Sequence, residues 1–305
     1  MKRLLIGTLV LVMSMATFAA NLALWDFDDP ALGAADGAAV PDSDGHTVWR
    51  VAATDKSGNG NDLTTWDYSW AGFTWSADSP HGDFSIENAG DYPAAFTSSS
   101  DSLPSGVDIQ TITPAAFTVE AVGKLDRITN VATIVGRDGF AIGGAVDQDN
   151  RAPLYLSVRD WFGAGQQKAA IEFTDVQGYT HAVTSSEVFE FDTWYHIAAV
   201  SDGSTLSLYI NGILVGQDDM TLSDSTDTSL AIGTVDNLPE YESGAWSVAR
   251  GLWAGGHGDR WFGNVDAAAI SDEALAPESF VLAIPEPATL ALLGLGALTM
   301  LRKRK

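Results

Sequence analysis

Apolar and polar positions alternate in short runs along this chain, and sustained helical periodicity is almost absent between residues 21 and 283. Alternation sends successive side chains to opposite faces of an extended backbone, so it predicts strands with one buried face. Runs of this kind occur at Leu22–Phe27, Thr118–Gly123, Ala132–Val135, Leu154–Val158, Ala169–Phe173, Tyr195–Val200, Thr205–Ile210 and Leu230–Ile232, separated by Gly, Asp, Asn and Ser. The clearest stretch is Phe191–Gly216. Trp194–Val200 reads as a strand, Ser201–Ser204 as a turn, and Thr205–Ile210 as a second strand with Leu206, Leu208 and Ile210 on one face. Asn211-Gly212 then suits a two-residue type I′ turn, which needs φ > 0 at both central positions, and Ile213–Val215 returns as a third strand. No Ser/Pro-rich linker, charge block or repeat divides residues 21–283, so the pattern predicts one all-β domain, a two-sheet antiparallel sandwich.

The two ends follow other rules. Lys2-Arg3, the apolar run Leu4–Phe18 and the small pair Ala19-Ala20 have the layout of a secretory signal covering Met1–Ala20, with a signal helix of its own. At the far end Pro285-Glu286-Pro287 breaks regular structure. It precedes the uncharged span Ala288–Leu301 and the cations Arg302, Lys303, Arg304 and Lys305. Fourteen helical residues reach about 21 Å, short of the roughly 30 Å hydrocarbon core, so the span suits a temporary transmembrane stop rather than a permanent anchor. The triplet, the short Leu/Ala/Gly-rich helix and the basic end together resemble the PEP-CTERM sorting signal over 284–305. That resemblance implies a Gram-negative bacterium, transient insertion in the inner membrane, processing by an exosortase-type enzyme, and a final place at the cell surface or in the extracellular matrix.

Charge narrows the partners. The chain of 305 residues carries 16 Lys+Arg against 40 Asp+Glu. Six of the basic residues sit at the extreme ends, leaving ten in the middle against nearly all the acids. Nucleic-acid affinity comes from Lys and Arg displacing counterions, so this balance excludes nucleic acid. It also disfavours anionic polysaccharides, whereas a neutral glycan, a cationic partner or a Ca²⁺-bridged acidic polymer fits. The absence of Cys removes thiol catalysis, thiolate zinc sites and disulfides.

Several segments resemble laminin-G-like, concanavalin A-like jelly rolls, in the order that family uses them. Trp194-Tyr195-His196-Ile197-Ala198 and Leu208-Tyr209-Ile210-Asn211-Gly212 look like its central signature. Leu24–Phe27 with Asp55–Leu63 resembles the opening strand and its glycine-rich loop, and Phe117–Gly123 the strand that opens the sandwich proper. Phe262–Asp266 with Ile270–Leu275 resembles the closing strand and a short terminal helix. The excess length falls at Ala31–Ala53, Trp66–Val107 and Asp236–Arg260, expected as loops or additions at the sandwich ends.

Three kinds of chemistry were sought in these residues. Asp55, Asn59, Asn61 and Asp62, with Ser57 and two Gly, offer hard oxygen ligands suited to Ca²⁺; the same residues also suit a polar turn capped by its own Asx side chains. The family resemblance, with its structural Ca²⁺ near the first and last strands, adds Asp26, Asp28 and Asp266 to the candidate ligands. Carbohydrate recognition needs exposed aromatic rings beside polar groups. Trp66, Tyr68, Trp70, Phe73 and Trp75 form one such cluster, and Tyr241, Trp246, Trp253 and His257 another, with Asp67, Asp78, Asn237 and Asp259 nearby. Their alternative role is to fill core under long loops. Catalysis finds less support. The Glu-x-Asp-x-Glu spacing that would put carboxylates on one strand face is absent, and Glu187, Glu190 and Asp192 read as a solvated edge. No Gly-x-Ser-x-Gly, His-Glu-x-x-His or Walker loop occurs, and His196 reads as a hydrogen-bonded structural residue.

These readings converge on an exported, non-enzymatic jelly-roll protein that binds glycan or surface protein in adhesion or in an exopolysaccharide matrix. The alternatives are a polysaccharide hydrolase or lyase on the same fold, and a purely structural matrix component.

Overall fold

Closure of the chain's first strand against its last organises the sandwich. A computed structural model describes residues 21–41, 50–65, 72–88, 96–98, 106–139, 152–163, 165–233, 244–253 and 256–283. The signal segment Met1–Ala20 and the sorting tail, from Pro285, Glu286 and Pro287 to Arg302, Lys303, Arg304 and Lys305, lie outside the described residues. The strands in chain order begin with β1 (Asn21–Trp25), β2 (Arg50–Ala53), β3 (Leu63–Thr65), β4 (Thr74–Ser76), β5 (Ser85–Asn88) and β6 (Phe96–Ser98). The longer strands follow: β7 (Phe117–Arg127), β8 (Val131–Arg137), β9 (Leu154–Arg159), β10 (Lys168–Thr174), β11 (Thr180–Thr184) and β12 (Trp194–Ser201). The last are β13 (Thr205–Ile210), β14 (Ile213–Asp219), β15 (Trp246–Val248), β16 (Gly251–Trp253), β17 (Gly256–Gly258) and β18 (Phe262–Ser271).

One sheet runs β14-β13-β12-β7-β18-β5-β4, and β1 shares the free side of β18 with β5. The other runs β11-β10-β9-β8-β15-β6-β3-β2, while β16 and β17 form a separate hairpin. Every strand pair is antiparallel. The predicted meander is present as β12-β13-β14, and Asn211 and Gly212 carry φ of 51° and 76°, the left-handed values its tight turn requires.

Alternation explains what fills the space between the sheets. Phe117, Val119, Ala121 and Leu125 of β7 join Leu154, Leu156 and Val158 of β9 and Ala169, Ile171 and Phe173 of β10 in one hydrophobic cluster that extends from Leu22 to Ile270. Both β7 and β18 are buried on their outer face too, because the chain beyond β18 folds back over it.

Three expectations change. Leu230–Ile232 is not a strand: only Leu230 forms a bridge, to Asp175 beyond the end of β10. No helix follows β18 directly; the segment holds a 3₁₀ turn at Pro277–Ser279. Pro277 cannot donate a backbone hydrogen bond, and that disfavours a continuous helix from Ile270. The extra lengths are not merely loops, since their described parts supply β2, β4, β5, β6 and β15 to the two sheets.

Candidate functional site

The outer face of the second sheet carries a cavity of about 280 Å³, lined by Asn130, Val131, Tyr155, Arg159, Trp161, Glu172 and Asp259. The period of two accounts for its floor. On β9 the residues Leu154, Leu156 and Val158 point to the core, so Tyr155, Ser157 and Arg159 point outward. On β10 the core takes Ala169, Ile171 and Phe173, leaving Glu172 on the outer face. Arg159 Nη1 donates to Glu172 Oε2 at 3.2 Å, and its Nε to Ser157 Oγ at 3.3 Å.

The walls come from turns. Trp161 follows β9 and remains 58% exposed, with the Arg159 guanidinium 4.9 Å from its ring centre. Its indole N–H donates to Asn130 Oδ1 at 2.6 Å, and Asn130 itself has φ 82° in the turn between β7 and β8. On the opposite side, the Asp259 carbonyl accepts from Thr133 N–H at 2.7 Å, which pins residue 259 beside β8. Tyr155 donates its hydroxyl to the Leu252 carbonyl and accepts from Ala152 N–H, so the 251–253 strand is tied to the floor.

Two ionisations are displaced. Burial pushes the Asp259 carboxyl above the usual carboxylate range, and Arg159 offsets only part of this. Burial also pushes the Tyr155 phenol up, keeping it a neutral hydroxyl at all physiological pH. The cavity therefore offers one guanidinium, two carboxyl groups, a side-chain amide and an open indole. Such a set can stack an apolar ring face and hydrogen-bond hydroxyl groups around it.

The predicted aromatic clusters are distributed differently. Trp75 and Trp246 are each 1% exposed and belong to the core, Trp75 donating to the Phe27 carbonyl and Trp246 to the Ile109 carbonyl. A ring enclosed in this way cannot stack on a ligand, which corrects their assignment as binding residues. Phe73 is buried beside them. Trp66, Tyr68, Trp70 and Tyr241 lie outside the described residues. Trp253 and His257 fall in the β16–β17 hairpin, opposite Gly256 and Leu252 respectively. Trp161, Arg159 and Glu172 were missed. The available signal was the Trp161-Phe162-Gly163 turn, an aromatic pair with no core-facing alternation around it.

The proposed metal ligands are engaged in hydrogen bonds within the protein. Asp55 accepts four hydrogen bonds, from Leu24 N–H, Ser57 N–H, the Ser57 hydroxyl and Asn61 N–H. Asp62 accepts from Asp55 N–H, Asn59 Oδ1 from Val107 N–H, and Asn61 Oδ1 from Ile109 N–H. These bonds cap the loop with its own Asx side chains and stitch β1 to the stretch before β7. Asp26 caps Asp28 N–H, Asp28 accepts from Asp83 and Phe84 N–H, and Asp266 binds Ser79 and His81. Among the described residues no group of three or more His, Asp or Glu is placed to hold a metal ion.

Residues 97–279, more than half of the chain, match the family model for the concanavalin A-like lectin/glucanases superfamily of the Laminin_G_3 type. Residues 283–305 match the PEP-CTERM protein-sorting motif. Among solved structures, Domain 4 of AbnA, an extracellular arabinanase from Geobacillus stearothermophilus solved in complex with arabinotriose, is 13% identical with a TM-score of 0.51, over 86% of this chain and 96% of that one. The CBM40 of the Ruminococcus gnavus IT-sialidase, solved with α2,3-sialyllactose, is 11% identical with a TM-score of 0.46, over 66% and 96%. The receptor-binding domain of botulinum neurotoxin D is 12% identical with a TM-score of 0.48, over 85% of this chain and 50% of that one. No curated protein matches. Among the described residues no helix is long and apolar enough to cross a membrane.

Proposed function

We propose, from the premise that this chain belongs to the concanavalin A-like lectin/glucanases superfamily and carries a PEP-CTERM sorting motif, that it is an exported surface protein binding a neutral glycan through the Trp161 cavity. The observation that carries this reading is an exposed indole at a cavity whose charge-bearing groups are a single cation and two carboxyl groups. Arg159 is already matched by Glu172, so the site has no spare positive charge for an acidic sugar. The volume lies just below the roughly 300–1,000 Å³ of ordinary small-molecule sites, which suits a short stretch of sugar rather than a long chain threaded through. The arabinotriose bound to the arabinanase domain is a neutral sugar of this class. The role is adhesion or organisation of an exopolysaccharide matrix. The tail is inserted transiently in the inner membrane of a Gram-negative cell and handed to an exosortase-type enzyme.

A second reading rests on one feature: Glu172 and Asp259 are two carboxyl groups lining one cavity, and burial raises the latter above the usual carboxylate range. Such a pair serves glycoside hydrolysis when one carboxylate is free to attack or activate water. Glu172 is instead ion-paired to Arg159, and this favours binding over turnover. A glycan array followed by calorimetry tests both. Neutral oligosaccharides are expected to bind without being cleaved, and Trp161→Ala to weaken binding about fivefold, in line with a stacking contribution near 1 kcal/mol, at unchanged melting temperature. Binding unaffected by Trp161→Ala removes the site, and reducing-sugar release abolished by Asp259→Asn establishes the hydrolase.

A further inference from the structure

The outer face of the first sheet is covered by the chain's own segment Glu273–Ala283, and this cover ends where the sorting motif begins. Thr118 of β7 takes hold of its start: the hydroxyl donates to the Glu273 carbonyl at 2.7 Å and accepts from Leu275 N–H at 2.9 Å. Leu275, Phe280 and Leu282, each 7% exposed, then lie over Ala198 and Val200 of β12, Val122 of β7, and Ala267 and Ala269 of β18. The Phe280 ring sits 5.3 Å from His196 and 5.4 Å from Tyr209.

Glu120 lies in the middle of β7, 1% exposed, on a face it shares with Thr118, His196 and the apolar side chains Val122, Ala198 and Ala269. A carboxylate there is costly unless every lone pair is used, and a hydrophobic residue of similar size would stabilise the sheet at least as well. Its oxygens are spent on the segment above it: Oε1 accepts from Val281 N–H at 3.2 Å, Oε2 from Leu282 N–H at 3.1 Å, and Oε2 also meets His196 Nε2 at 3.0 Å. Two residues on, His81, oriented through Nδ1 by Asp266 Oδ2 at 2.7 Å, hydrogen-bonds to the backbone of Ala283.

We propose that Glu273–Ala283 is a strap latched by Glu120, and that the latch controls access of the processing enzyme to the sorting motif. This rests on reading the tail as a processed signal. With the latch closed, the Pro285-Glu286-Pro287 triplet starts two residues beyond the last residue held on the sandwich, so an enzyme acting there must approach the folded body itself. With the strap lifted, those eleven residues add about 36 Å of extended chain at roughly 3.3 Å each, and the triplet is presented on a leash.

The test uses the full chain with two variants. Glu120→Gln alters the acceptor, and Val281→Pro removes a donor from the strap together with the packing of Val281 on the outer face. Hydrogen exchange is expected to show residues 274–283 protected in the parent protein. Each variant should raise their exchange at least tenfold while peptides from β12 and β18 stay unchanged. In cells that contain the processing enzyme, pulse–chase should then show faster tail loss in both variants. A parent strap that exchanges as fast as unfolded chain overturns the latch, and equal processing despite a loosened strap overturns the gating. Tail loss in none of the proteins, with the exchange pattern as expected, overturns the sorting reading and the gating with it. Should Glu120→Gln fail to fold, Val281→Pro decides alone.

Discussion

At the residue scale, the cavity depends on two side chains that sequence alone left in the background. Trp161 is conspicuous only once the turn after β9 is seen to leave its indole open with Arg159 backing the ring. Asp259 was legible as a polar neighbour of aromatic residues, but its displaced ionisation arises from burial beside β8, a contact between positions 133 and 259 that no local pattern encodes. The ionised carboxylate is the better acceptor for sugar hydroxyls. Acidification should therefore weaken glycan binding as pH falls through the raised Asp259 pKa, at higher pH than an ordinary aspartate would allow. Calorimetry across a pH series checks this. Asp259→Asn should bind more weakly and lose that dependence.

At the element scale, legibility followed how local the determinants are. The β12-β13-β14 meander was readable because alternation and the Asn211-Gly212 turn specify it within about two dozen residues. Strands such as β4, β5 and β6 span only three or four residues and owe their state to partners far along the chain, for example Asn88 opposite Gly263. The Asp55–Asp62 loop was readable as a concentration of oxygen atoms, yet the same composition serves ligation and self-capping equally. Self-capping is supported by β1, whose Leu24 N–H donates to Asp55 and whose Leu22 carbonyl accepts from Ser57, Asn59 and Asn61. Chelation with EDTA should accordingly leave the melting temperature unchanged. Asp55→Ala, which strands donors of β1 and of the loop itself, should lower stability by about 2 kcal/mol or more, measured by denaturant unfolding.

At the scale of the whole molecule, the sandwich is stapled at its chain ends rather than by sulfur. β1 pairs with the C-terminal half of β18, and the strap then closes the outer face of the same sheet, so both ends of the fold converge on β18. The absence of Cys excluded disulfides, and the resemblance placed a closing strand at Phe262–Asp266. The strap escaped notice because it has no regular periodicity; its residues are specified by the face they cover. This arrangement fixes where the fold ends. A protein beginning at Asn21 and stopping at Ala283 retains Glu120's partners and should melt as the longer chain does. One stopping at Asp272 leaves Glu120 without Val281 and Leu282 and His196 without Phe280, and uncovers Val122, Ala198 and Val200. The lost burial of Leu275, Phe280 and Leu282 costs roughly 1.5–3 kcal/mol for each side chain, and at about 2–4 °C per kcal/mol for a domain of this size the melting temperature should fall by several degrees, with new binding of a hydrophobic dye. Equal melting of the two proteins would mean that the strap is a passive trailer to a fold already complete at β18, and the sheet's outer face would then need another explanation for its buried glutamate.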